Sequence, residues 1–359
     1  EATEHYKPEH AFADFNIDAR LKIAIAAKGY TLPTPIQDKT ISHGLLGHDV
    51  VGVANTGTGK TAAFLIPILN KIILNPKEKA IIIVPTRELA VQIEQEFQGF
   101  AKNIKTGTNY GPRINSVCCV GGAPIFKQIS ALRASPAVVI GTPGRLKDLV
   151  IRKFIRLDQF QTNVLDEADR MLDMSFIADM RFVVALMPKV RQTLFFSATV
   201  SHDVEKLVKE FLKDPVRISV KTGETSGNVD QDVVHVRNGE KLNVLHDLLK
   251  KGEFNKVLIF GRTKHGVERL SRDLAAKGFK AESIHGNKNF SQRQRALKLF
   301  KDNHAQILVA TDVAARGLDI DNISHVINYD IPATHDDYIH RIGRTGRGDK
   351  KGKALTFIE

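Results

Sequence analysis

The chain has 359 residues, more than one hydrophobic core usually organises, so we expect two domains. Hydrophobic residues make up 42% of it, which is ordinary for a globular protein. It has no apolar run of membrane-spanning length, and we do not expect its first residues to be a signal peptide. The formal net charge of +12 favours a polyanionic partner, of which nucleic acid is the first candidate.

The sequence contains two cysteines, Cys118 and Cys119, which are adjacent in an apolar run. Neighbouring residues of a strand point to opposite faces, so we do not expect them to form a mutual disulfide. Reduced cysteines in a buried strand are typical of a reducing compartment. We therefore predict a cytoplasmic protein that does not use a membrane.

Short apolar runs rich in β-branched residues alternate with segments of helical spacing, which predicts an α/β fold with parallel sheets covered on both faces. The first series is VVGVA (50–54), AIIIV (80–84), SVCCV (116–120), AVVI (137–140), NVL (163–165) and TLFF (193–196). The alternation pauses at the polar stretch KTGETSGNVDQD (221–232) and then resumes. We predict a first domain over 1–219, a linker over 220–231 and a second domain over 232–359.

Nearly every predicted strand is followed at once by a segment that carries Gly, Thr, Asp or Arg. In an open parallel sheet the carboxyl ends of the strands form the ligand crevice. We therefore expect these segments to gather along one edge of each domain, and a site to form where the two edges meet.

The segment ANTGTGKT follows one of these strands and precedes a helical pattern, which is typical of a phosphate-binding loop with Ala54 in place of the usual first glycine. Its glycines allow backbone N–H groups to turn towards phosphate oxygens, its lysine supplies a cation, and its last threonine a hydroxyl near Mg²⁺. The predicted phosphate-binding residues are Thr56, Gly57, Thr58, Gly59, Lys60 and Thr61.

The acidic run DEAD begins where the strand NVL ends. A phosphate-binding loop needs a carboxylate at the end of a neighbouring strand to hold Mg²⁺, and Asp166 has that position, for direct or water-mediated binding. Glu167 can then orient and deprotonate the attacking water. We expect Asp169 to pair with the SAT segment or with the second lobe, and Asp173 to be a solvated helix residue.

These motifs, in this order, resemble the DEAD-box RNA helicases over nearly the whole chain. GYTLPTPIQ resembles the family's Q motif; PTRELA, GG, TPGR, DEAD and SAT follow it, and TDVAARGLD and HRIGRTGR come later. The resemblance implies two tandem RecA-like parallel-sheet lobes joined by a flexible linker. LDEADRMLDMSF, RTKHG and IHGNK are further similar to the bacterial RhlE-type branch.

The resemblance also implies an ATP site. Gln37 would read the adenine edge, Tyr30 would stack on the base with Phe12 packed behind it, and Asp319 would hydrogen-bond the ribose. The side-chain amide of Gln37 can both donate a hydrogen bond to adenine and accept one from it, so the site would prefer ATP to GTP.

The second lobe would supply arginine fingers, Arg344 and Arg347, to the γ-phosphate. Arg341 would bridge to the acidic cluster of the first lobe, while Ser197 and Thr199 would couple the ATP side to the RNA side. Hydrolysis would then require the two lobes to close.

The motifs PTRELA, GG and TPGR resemble the family's RNA-binding segments, which grip sugar and phosphate rather than bases. The residues that the resemblance assigns to RNA are Pro85, Thr86, Arg87, Gly121, Gly122, Thr142, Pro143, Gly144, Arg145, Arg293 and Thr311. The assignment of Arg293 is weakened because Phe290 stands where the family often has Gln.

The function expected from these features is an RNA-stimulated ATPase that uses ATP and Mg²⁺ to unwind short RNA duplexes without sequence preference. Two alternatives stay open: an ATP-gated RNA clamp with little unwinding, and a DNA-dependent ATPase, against which the Q motif argues. We expect a monomeric core without its flanking extensions, with ribosome-assembly or RNA-decay proteins as candidate partners. The segment NIKTGTNYGPR (103–113) is expected to be a lengthened loop of unknown purpose.

Overall fold

The computed structural model describes residues 6–55, 57–102, 104–105, 113–220, 229–237, 239–315, 318, 320, 322–346 and 351–359. The chain forms two compact units, Glu1–Lys221 and Thr222–Glu359. Each unit is an α/β layer structure with its own parallel sheet, as the alternating pattern predicts.

The first unit alternates strands and helices from its second helix onwards. Its helices are α1 (Ala19–Ala27), α2 (Pro35–Leu45), α3 (Lys60–Leu74), α4 (Arg87–Ala101), α5 (Ile125–Arg133), α6 (Pro143–Ile151), α7 (Ala168–Asp173), α8 (Ile177–Ala185) and α9 (His202–Phe211). Its strands are β1 (Val50–Val53), β2 (Ala80–Ile83), β3 (Ser116–Cys119), β4 (Val138–Gly141), β5 (Thr162–Leu165), β6 (Gln192–Ser197) and β7 (Val216–Ser219).

The second unit repeats this architecture with a smaller sheet. Its strands are β8 (Val229–His235), β9 (Val257–Phe260), β10 (Ala281–Ile284), β11 (Ile307–Ala310), β12 (His325–Asn328) and β13 (Gly352–Ile358). Its helices are α10 (Lys241–Leu249), α11 (Lys264–Ala276), α12 (Phe290–Lys301), α13 (Asp312–Ala315) and α14 (His335–Ile342).

The sheet of the first unit runs β3-β4-β2-β5-β6-β1-β7, and every neighbouring pair in it is parallel. Strands β2, β4, β5 and β6 are buried at every residue, because helices cover both faces. This is why they read in the sequence as continuous apolar runs rather than as alternating ones. Cys118 and Cys119 are free thiols of the edge strand β3, as predicted.

The sheet of the second unit runs β10-β11-β9-β12-β13-β8 and is also parallel throughout. Most of the predicted linker, residues 221–228, lies outside the described residues. Its last three residues, 229–231, belong instead to β8, where Val229 pairs with Gly352 of β13. The linker prediction was wrong there because an exposed edge strand can be polar.

The strand order of the first sheet sorts its motifs into two groups. The phosphate-binding loop, SAT and DEAD follow the adjacent strands β1, β6 and β5, whereas PTRELA, TPGR and GG follow β2, β4 and β3. All six segments therefore lie along the carboxyl edge, as expected for a ligand crevice. In the described part of the chain, no helix combines the length and apolarity that crossing a membrane requires.

Candidate functional site

The phosphate-binding loop turns through two left-handed glycines, Gly57 with φ 81° and Gly59 with φ 92°. Gly59 directly precedes helix α3, which begins at Lys60. A Cβ at position 59 would lie 2.5 Å from the amide nitrogen of Gln37, so both backbone strain and contact require glycine. The loop thus presents the start of a long helix, where N–H groups and the helix dipole favour phosphate.

Lys60 is held inside this loop, with its side chain 5% exposed. Its Nζ donates to the carbonyl oxygen of Ala54 at 3.0 Å and lies 3.9 Å from Oδ1 of Asp166. The ammonium therefore stands between the loop and the DEAD carboxylates, where an outer phosphate would gain a cation. Thr56 of this loop lies outside the described residues.

Asp166 and Glu167 are both buried, at 2% and 3% exposure. Oδ1 of Asp166 accepts the N–H of Glu167 at 2.9 Å. Burial raises the pKa of Asp166 to about 6, while the nearby Lys60 ammonium opposes the rise. A carboxylate that is desolvated in this way gains from a bound cation.

The geometry fits Mg²⁺ held by few protein ligands. Within the described residues, no group of three or more His, Cys, Asp and Glu side chains is arranged to hold a metal ion. Asp166 offers one carboxylate, and Thr61 offers a hydroxyl at the start of α3. Mg²⁺ usually keeps several waters and takes one or two carboxylates together with substrate phosphates, so this small donor set suits it.

Glu167 has an unusual backbone and a buried partner. It precedes α7 with φ 54° and ψ 47°, a left-handed conformation that costs a non-glycine residue roughly 1–3 kcal/mol. Its Oε2 accepts from Nη1 of Arg170 at 2.7 Å, and Arg170 is 4% exposed. Sequence reasoning missed Arg170. The available signal was that Arg170 follows Glu167 by three residues at the start of a helix, a spacing at which opposite charges can pair.

Gln37 connects the Q motif to the phosphate-binding loop. Its Oε1 accepts the N–H of Thr34 at 2.9 Å, and its Nε2 donates to the carbonyl oxygen of Gly59 at 3.1 Å. The ring of Tyr30 packs edge-on against Phe12, with centroids 5.8 Å apart. The Tyr30 hydroxyl donates to Glu96 at 2.7 Å. The three residues expected to bind adenine are thus fixed by their surroundings.

Asp38 ties the N-terminal segment to the Q-motif helix. Its carboxylate accepts from the Tyr6 hydroxyl, from the N–H of Glu9 at 2.7 Å and from the N–H of His10 at 3.2 Å. Nδ1 of His10 also lies 2.8 Å from Oδ1. These bonds to the hydroxyl, the N–H groups and His10 lower the pKa of Asp38, although burial opposes them. Sequence reasoning missed this anchor, because nothing local indicates it.

The predicted RNA motifs are joined to one another by side chains. The guanidinium of Arg87 lies on the GG loop, where a Cβ at Gly122 would come within 2.1 Å of its Nη1. Gln128 of α5 donates to the carbonyl oxygen of Val120 at 2.9 Å and accepts from Nη1 of Arg145 at 3.0 Å. Gln128, which sequence reasoning missed, therefore links the GG loop to TPGR.

The remaining predicted RNA residues of this unit surround these links. Pro85 is buried at the end of β2, and Thr86 caps α4 by accepting the N–H of Leu89 at 3.3 Å. The TPGR segment starts α6 with Thr142 half-buried. The remaining positions are Gly121, half-buried, Pro143, buried, and Gly144, exposed.

Asp169 binds the SAT segment. Its Oδ2 accepts the N–H of Ala198, the N–H of Thr199 and the hydroxyl of Thr199, each at 3.1 Å. The hydroxyl of Ser197 donates to the carbonyl oxygen of Thr199 at 2.8 Å. Because α7 follows DEAD directly, these bonds connect the end of β5 to the end of β6.

Arg341 is engaged within its own unit. It is 2% exposed and forms a bidentate pair with Asp312, at 2.5 Å and 2.7 Å, while its Nη1 donates to the carbonyl oxygen of Asp330 at 2.6 Å. The resemblance implied a bridge to the acidic cluster of the first lobe. In the second unit itself, the carboxylate of Asp312 satisfies the guanidinium, and the bridge to the first lobe stays a prediction.

Arg344 is also buried in its own unit, at 4% exposure. Its Nη1 donates to the carbonyl oxygen of Leu318 at 2.9 Å and its Nε to that of His340 at 3.2 Å. Thr311 follows β11 and is buried, and Arg293 lies half-buried on α12. Asp319 and Arg347 lie outside the described residues.

The predicted loop 103–113 is described only at its ends. Lys105 and Arg113 form an isolated antiparallel bridge, and Nη1 of Arg20 donates to the carbonyl oxygen of Lys105 at 3.1 Å. Residues 103 and 106–112 lie outside the described residues.

Two family models match this chain: the DEAD/DEAH box helicase over residues 34–207 and the helicase conserved C-terminal domain over residues 240–349. A curated relative, the ATP-dependent RNA helicase CshA of Limosilactobacillus reuteri, is 44% identical over 351 residues, covering 97% of this chain and 69% of the relative. The chain belongs to the DEAD-box RNA helicase family. The DEAD-box ATP-dependent RNA helicase CshA of Bacillus subtilis is 43% identical over 97% of the chain and 69% of its own length.

Solved DEAD-box structures agree with this membership. S. cerevisiae Dbp5 bound to RNA and ADP BeF3 is 30% identical, with a TM-score of 0.82 over 97% of this chain and 89% of that one. Mss116 bound to ssRNA and UDP-BeF is 31% identical, with a TM-score of 0.86 over 98% and 76%.

The relatives correct one expectation about this DEAD-box protein. Both curated relatives, from L. reuteri and B. subtilis, carry the name CshA, not the RhlE name that three segments favoured. Those segments flank motifs of the helicase core, where the same packing and phosphate contacts recur across a family, so they discriminate poorly between branches.

Proposed function

We propose that this DEAD-box core binds ATP and Mg²⁺ in its first unit, binds RNA across both units, and uses hydrolysis to open short RNA duplexes locally. The observation that supports this most is the strand order of the first sheet. It groups the three nucleotide motifs on β1, β6 and β5 and the three RNA motifs on β2, β4 and β3. DEAD and PTRELA follow the neighbouring strands β5 and β2, so the two groups adjoin.

The nucleotide half acts as follows. The N–H groups of the loop that ends at Gly59 bind phosphate, and Lys60 neutralises the outer phosphates. Asp166 and Thr61 hold Mg²⁺, which supplies charge stabilisation for phosphoryl transfer when bound. Glu167 orients and deprotonates the attacking water, with Arg170 fixing its carboxylate.

The adenine end selects the nucleotide. Tyr30 stacks on the base, Phe12 supports that ring from behind, and the Gln37 amide reads the adenine edge. Because Gln37 also donates to Gly59, adenine recognition and the phosphate-binding loop share one side chain. A base that disturbs Gln37 therefore also disturbs the loop. Asp319 completes this end by binding the ribose.

The second unit supplies the charge that hydrolysis still needs. Arg344 and Arg347 act as arginine fingers, which in other nucleotide hydrolases raise the rate of hydrolysis by ~10³–10⁵. Arg344 donates hydrogen bonds to the carbonyl oxygens of Leu318 and His340, and its action as a finger would involve a change of partners. ATP and RNA together favour that change, which makes hydrolysis dependent on RNA.

RNA binding depends on contacts to the sugar-phosphate backbone of the strand. Arg87 and Arg145 contact phosphates, and the glycines of the GG loop let the strand approach closely. Thr311 and Arg293 continue the track on the second unit. Contacts of this kind carry little sequence information, so binding is non-specific in sequence and weakens steeply with salt. The partner that these contacts would bind is RNA. Three further expectations stay predictions: ribosome-assembly or RNA-decay proteins as partners, a monomeric state, and a cytoplasmic location.

The test measures phosphate release with and without single-stranded RNA, and ATP-dependent displacement of a short labelled strand. The wild-type chain should show RNA-stimulated release and displacement. Lys60→Ala should lose both, whereas Lys39→Ala, an exposed lysine of α2, is the matched control and should keep both. RNA retention without strand displacement would instead identify a clamp, and equal stimulation by single-stranded DNA a DNA-dependent ATPase.

A further inference from the structure

Helix α5 of the first unit exposes a large aromatic ring. Phe126 lies in the first turn of this helix, Ile125–Arg133, and is 82% exposed. Its neighbour Lys127 is exposed too, as is Arg133 at the end of the helix. Among the described residues Phe126 is the most exposed of the large aromatic side chains, since Tyr6 and Phe154 follow at 40% and 37%.

The apolar side of α5 does not use this ring. Leu132 is buried in the core of the first unit, and Ile125 and Ile129 pack against the same core. Those three residues recur at helical spacing and account for how α5 docks on the sheet. Phe126 lies outside that stripe, so its ring contributes little to the fold.

The helix is fixed next to the predicted RNA track. It starts three residues after Gly122 of the GG loop. Gln128, two residues beyond Phe126 and 5% exposed, bonds both to the carbonyl oxygen of Val120 and to Arg145 of TPGR. Gln128 therefore links the first turns of α5 to two segments that are predicted to bind RNA.

We propose that the ring of Phe126 is a stacking platform for a nucleobase of single-stranded RNA. The strand's sugar-phosphate backbone runs over the GG and TPGR segments, and Lys127 takes a neighbouring phosphate. The inference rests on the proposed RNA-binding function and adds to it one base contact, where the motifs alone supply backbone contacts. Every base has a π-face, so the contact is tolerant of sequence.

Charge favours RNA over a protein partner at this surface. The chain carries a net charge of +12, and the exposed residues of α5 include Lys127, which follows the ring directly, and Arg133 at the end of the helix. Aromatic side chains interleaved with cations are the arrangement by which proteins hold single strands. An apolar protein interface would instead be depleted of lysine around its central ring.

The sequence allows a clean experiment, because it contains no Trp. Phe126→Trp introduces a single indole whose fluorescence reports on that position alone. In the presence of a non-hydrolysable ATP analogue, titration with a single-stranded RNA oligonucleotide should quench it, since bases stack on the indole. Val190→Trp is the matched control. Val190 is 92% exposed and precedes β6, so it lies at the amino ends of the strands, whereas the RNA motifs follow their carboxyl ends. The indole at position 190 should therefore not respond to RNA.

Affinity measurements complete the test. Phe126→Ala and Phe126→Leu should each weaken RNA binding about tenfold, which corresponds to roughly 1.4 kcal/mol, whereas Phe126→Tyr should bind as wild type does. Leu keeps the apolar volume and lacks the π-face, so wild-type affinity in Phe126→Leu would overturn stacking. Thermal unfolding unchanged from wild type shows that each variant is folded.

The failure of this inference can be told apart from failure of the proposed function. If the wild-type chain shows no RNA-stimulated ATPase, the proposed function falls, and this inference falls with it. If wild type is stimulated by RNA and Phe126→Ala binds RNA equally well, only the stacking role is overturned. That second result would leave a protein partner as the explanation of the exposed ring.

Discussion

The hydroxyl of Tyr30 donates a 2.7 Å hydrogen bond to Oε1 of Glu96, a residue of helix α4 that lies 66 positions further along the chain. The other carboxylate oxygen of Glu96 accepts from Nζ of Lys28 at 3.0 Å. That ammonium lies 4.7 Å from the ring centroid of Phe100, on the same helix. The ring proposed to stack on adenine is therefore positioned by α4, the helix that begins in the RNA motif PTRELA.

We predict that Glu96→Ala raises the KM for ATP about five- to tenfold with kcat little changed. One hydrogen bond contributes about 1–1.5 kcal/mol, and its loss affects the bound ground state and transition state alike. Tyr30→Phe deletes the same bond and should give the same result in steady-state ATPase assays. Gln95→Ala, an exposed residue of the same helix, should behave as wild type. An unchanged KM in both Glu96→Ala and Tyr30→Phe would remove Glu96 from the adenine site.

We predict that Glu167→Gln lowers the rate of ATP hydrolysis by about 10²–10⁴ while ATP binding stays near normal. The amide cannot accept the proton of the attacking water, but it can still accept the bond from Arg170. Single-turnover phosphate release and equilibrium nucleotide binding separate the two effects. Asp173→Asn, at an exposed position of the same acidic segment, is the control. Normal turnover in Glu167→Gln would exclude it as the base.

The bonds between Asp169 and Thr199 should couple hydrolysis to RNA remodelling. Thr199→Val removes one of the three donors to Asp169, and we predict that strand displacement falls about three- to tenfold while RNA-stimulated ATPase changes less than twofold. Thr199→Ser keeps the hydroxyl and should retain displacement. Equal losses of both activities in Thr199→Val would mean that this contact serves catalysis rather than coupling.

The sequence predicted the parts of this molecule that depend on local pattern. Buried apolar runs located six of the seven strands of the first unit, and the half-exposed edge strand β7 was missed. The residues at the carboxyl ends of the strands located the two motif groups, because the side of a parallel sheet that binds ligands follows from topology. The tight turn at Gly57 and Gly59 was readable because only glycine readily adopts their left-handed backbone.

The missed residues depend on long-range pairing. The sequence did not indicate that Arg341 pairs with Asp312, 29 positions earlier. Asp38 holds residues 28–32 positions away, and Gln128 meets Arg145 across two motifs. No period or spacing in a single sequence indicates which buried polar groups will find each other, although burial requires that they find some partner.

The second unit contains a carboxylate that should make stability depend on pH. Glu268 accepts from the Ser283 hydroxyl at 2.6 Å, lies 3.0 Å from Nε2 of His285 and 3.5 Å from Nζ of Lys288. The Ser283 and His285 hydrogen bonds, with the charge of Lys288, lower the pKa of Glu268 from 4.5 to about 2.

The sign follows from linkage. Because the folded pKa is lowered, the contribution of Glu268 is fully present above the unfolded pKa near 4.5 and is lost as pH falls through about 2. We predict that Glu268→Gln destabilises the protein at pH 6 but not at pH 2, as measured by urea unfolding. Glu282→Gln is the control, because Glu282 lies on β10 directly before Ser283. A constant difference between Glu268→Gln and wild type across that range would contradict the pairing.

Two asparagines are buried on strands of the two parallel sheets, and we expect their replacement by leucine to change the free energy of unfolding in opposite directions. Asn163 of β5 and Asn328 of β12 are each 0% exposed. Nδ2 of Asn328 donates to the Thr356 hydroxyl at 3.0 Å, and its Oδ1 accepts from Arg341 at 3.2 Å. Within the described residues, neither side-chain atom of Asn163 has a hydrogen-bond partner, nor has the hydroxyl of Thr193, which stands opposite it on β6.

Burying an amide without partners costs about 1–3 kcal/mol, whereas removing a bonded amide leaves its partners unsatisfied. Asn163→Leu, which keeps the volume, should therefore stabilise the protein by about 1–3 kcal/mol, and Asn328→Leu should destabilise it by a similar amount. The urea midpoint at constant m-value measures both changes. If Asn163→Leu destabilised the protein as Asn328→Leu does, the Asn163 amide would have to be engaged in the native state, and a polar side chain at this buried position of β5 would be a structural requirement.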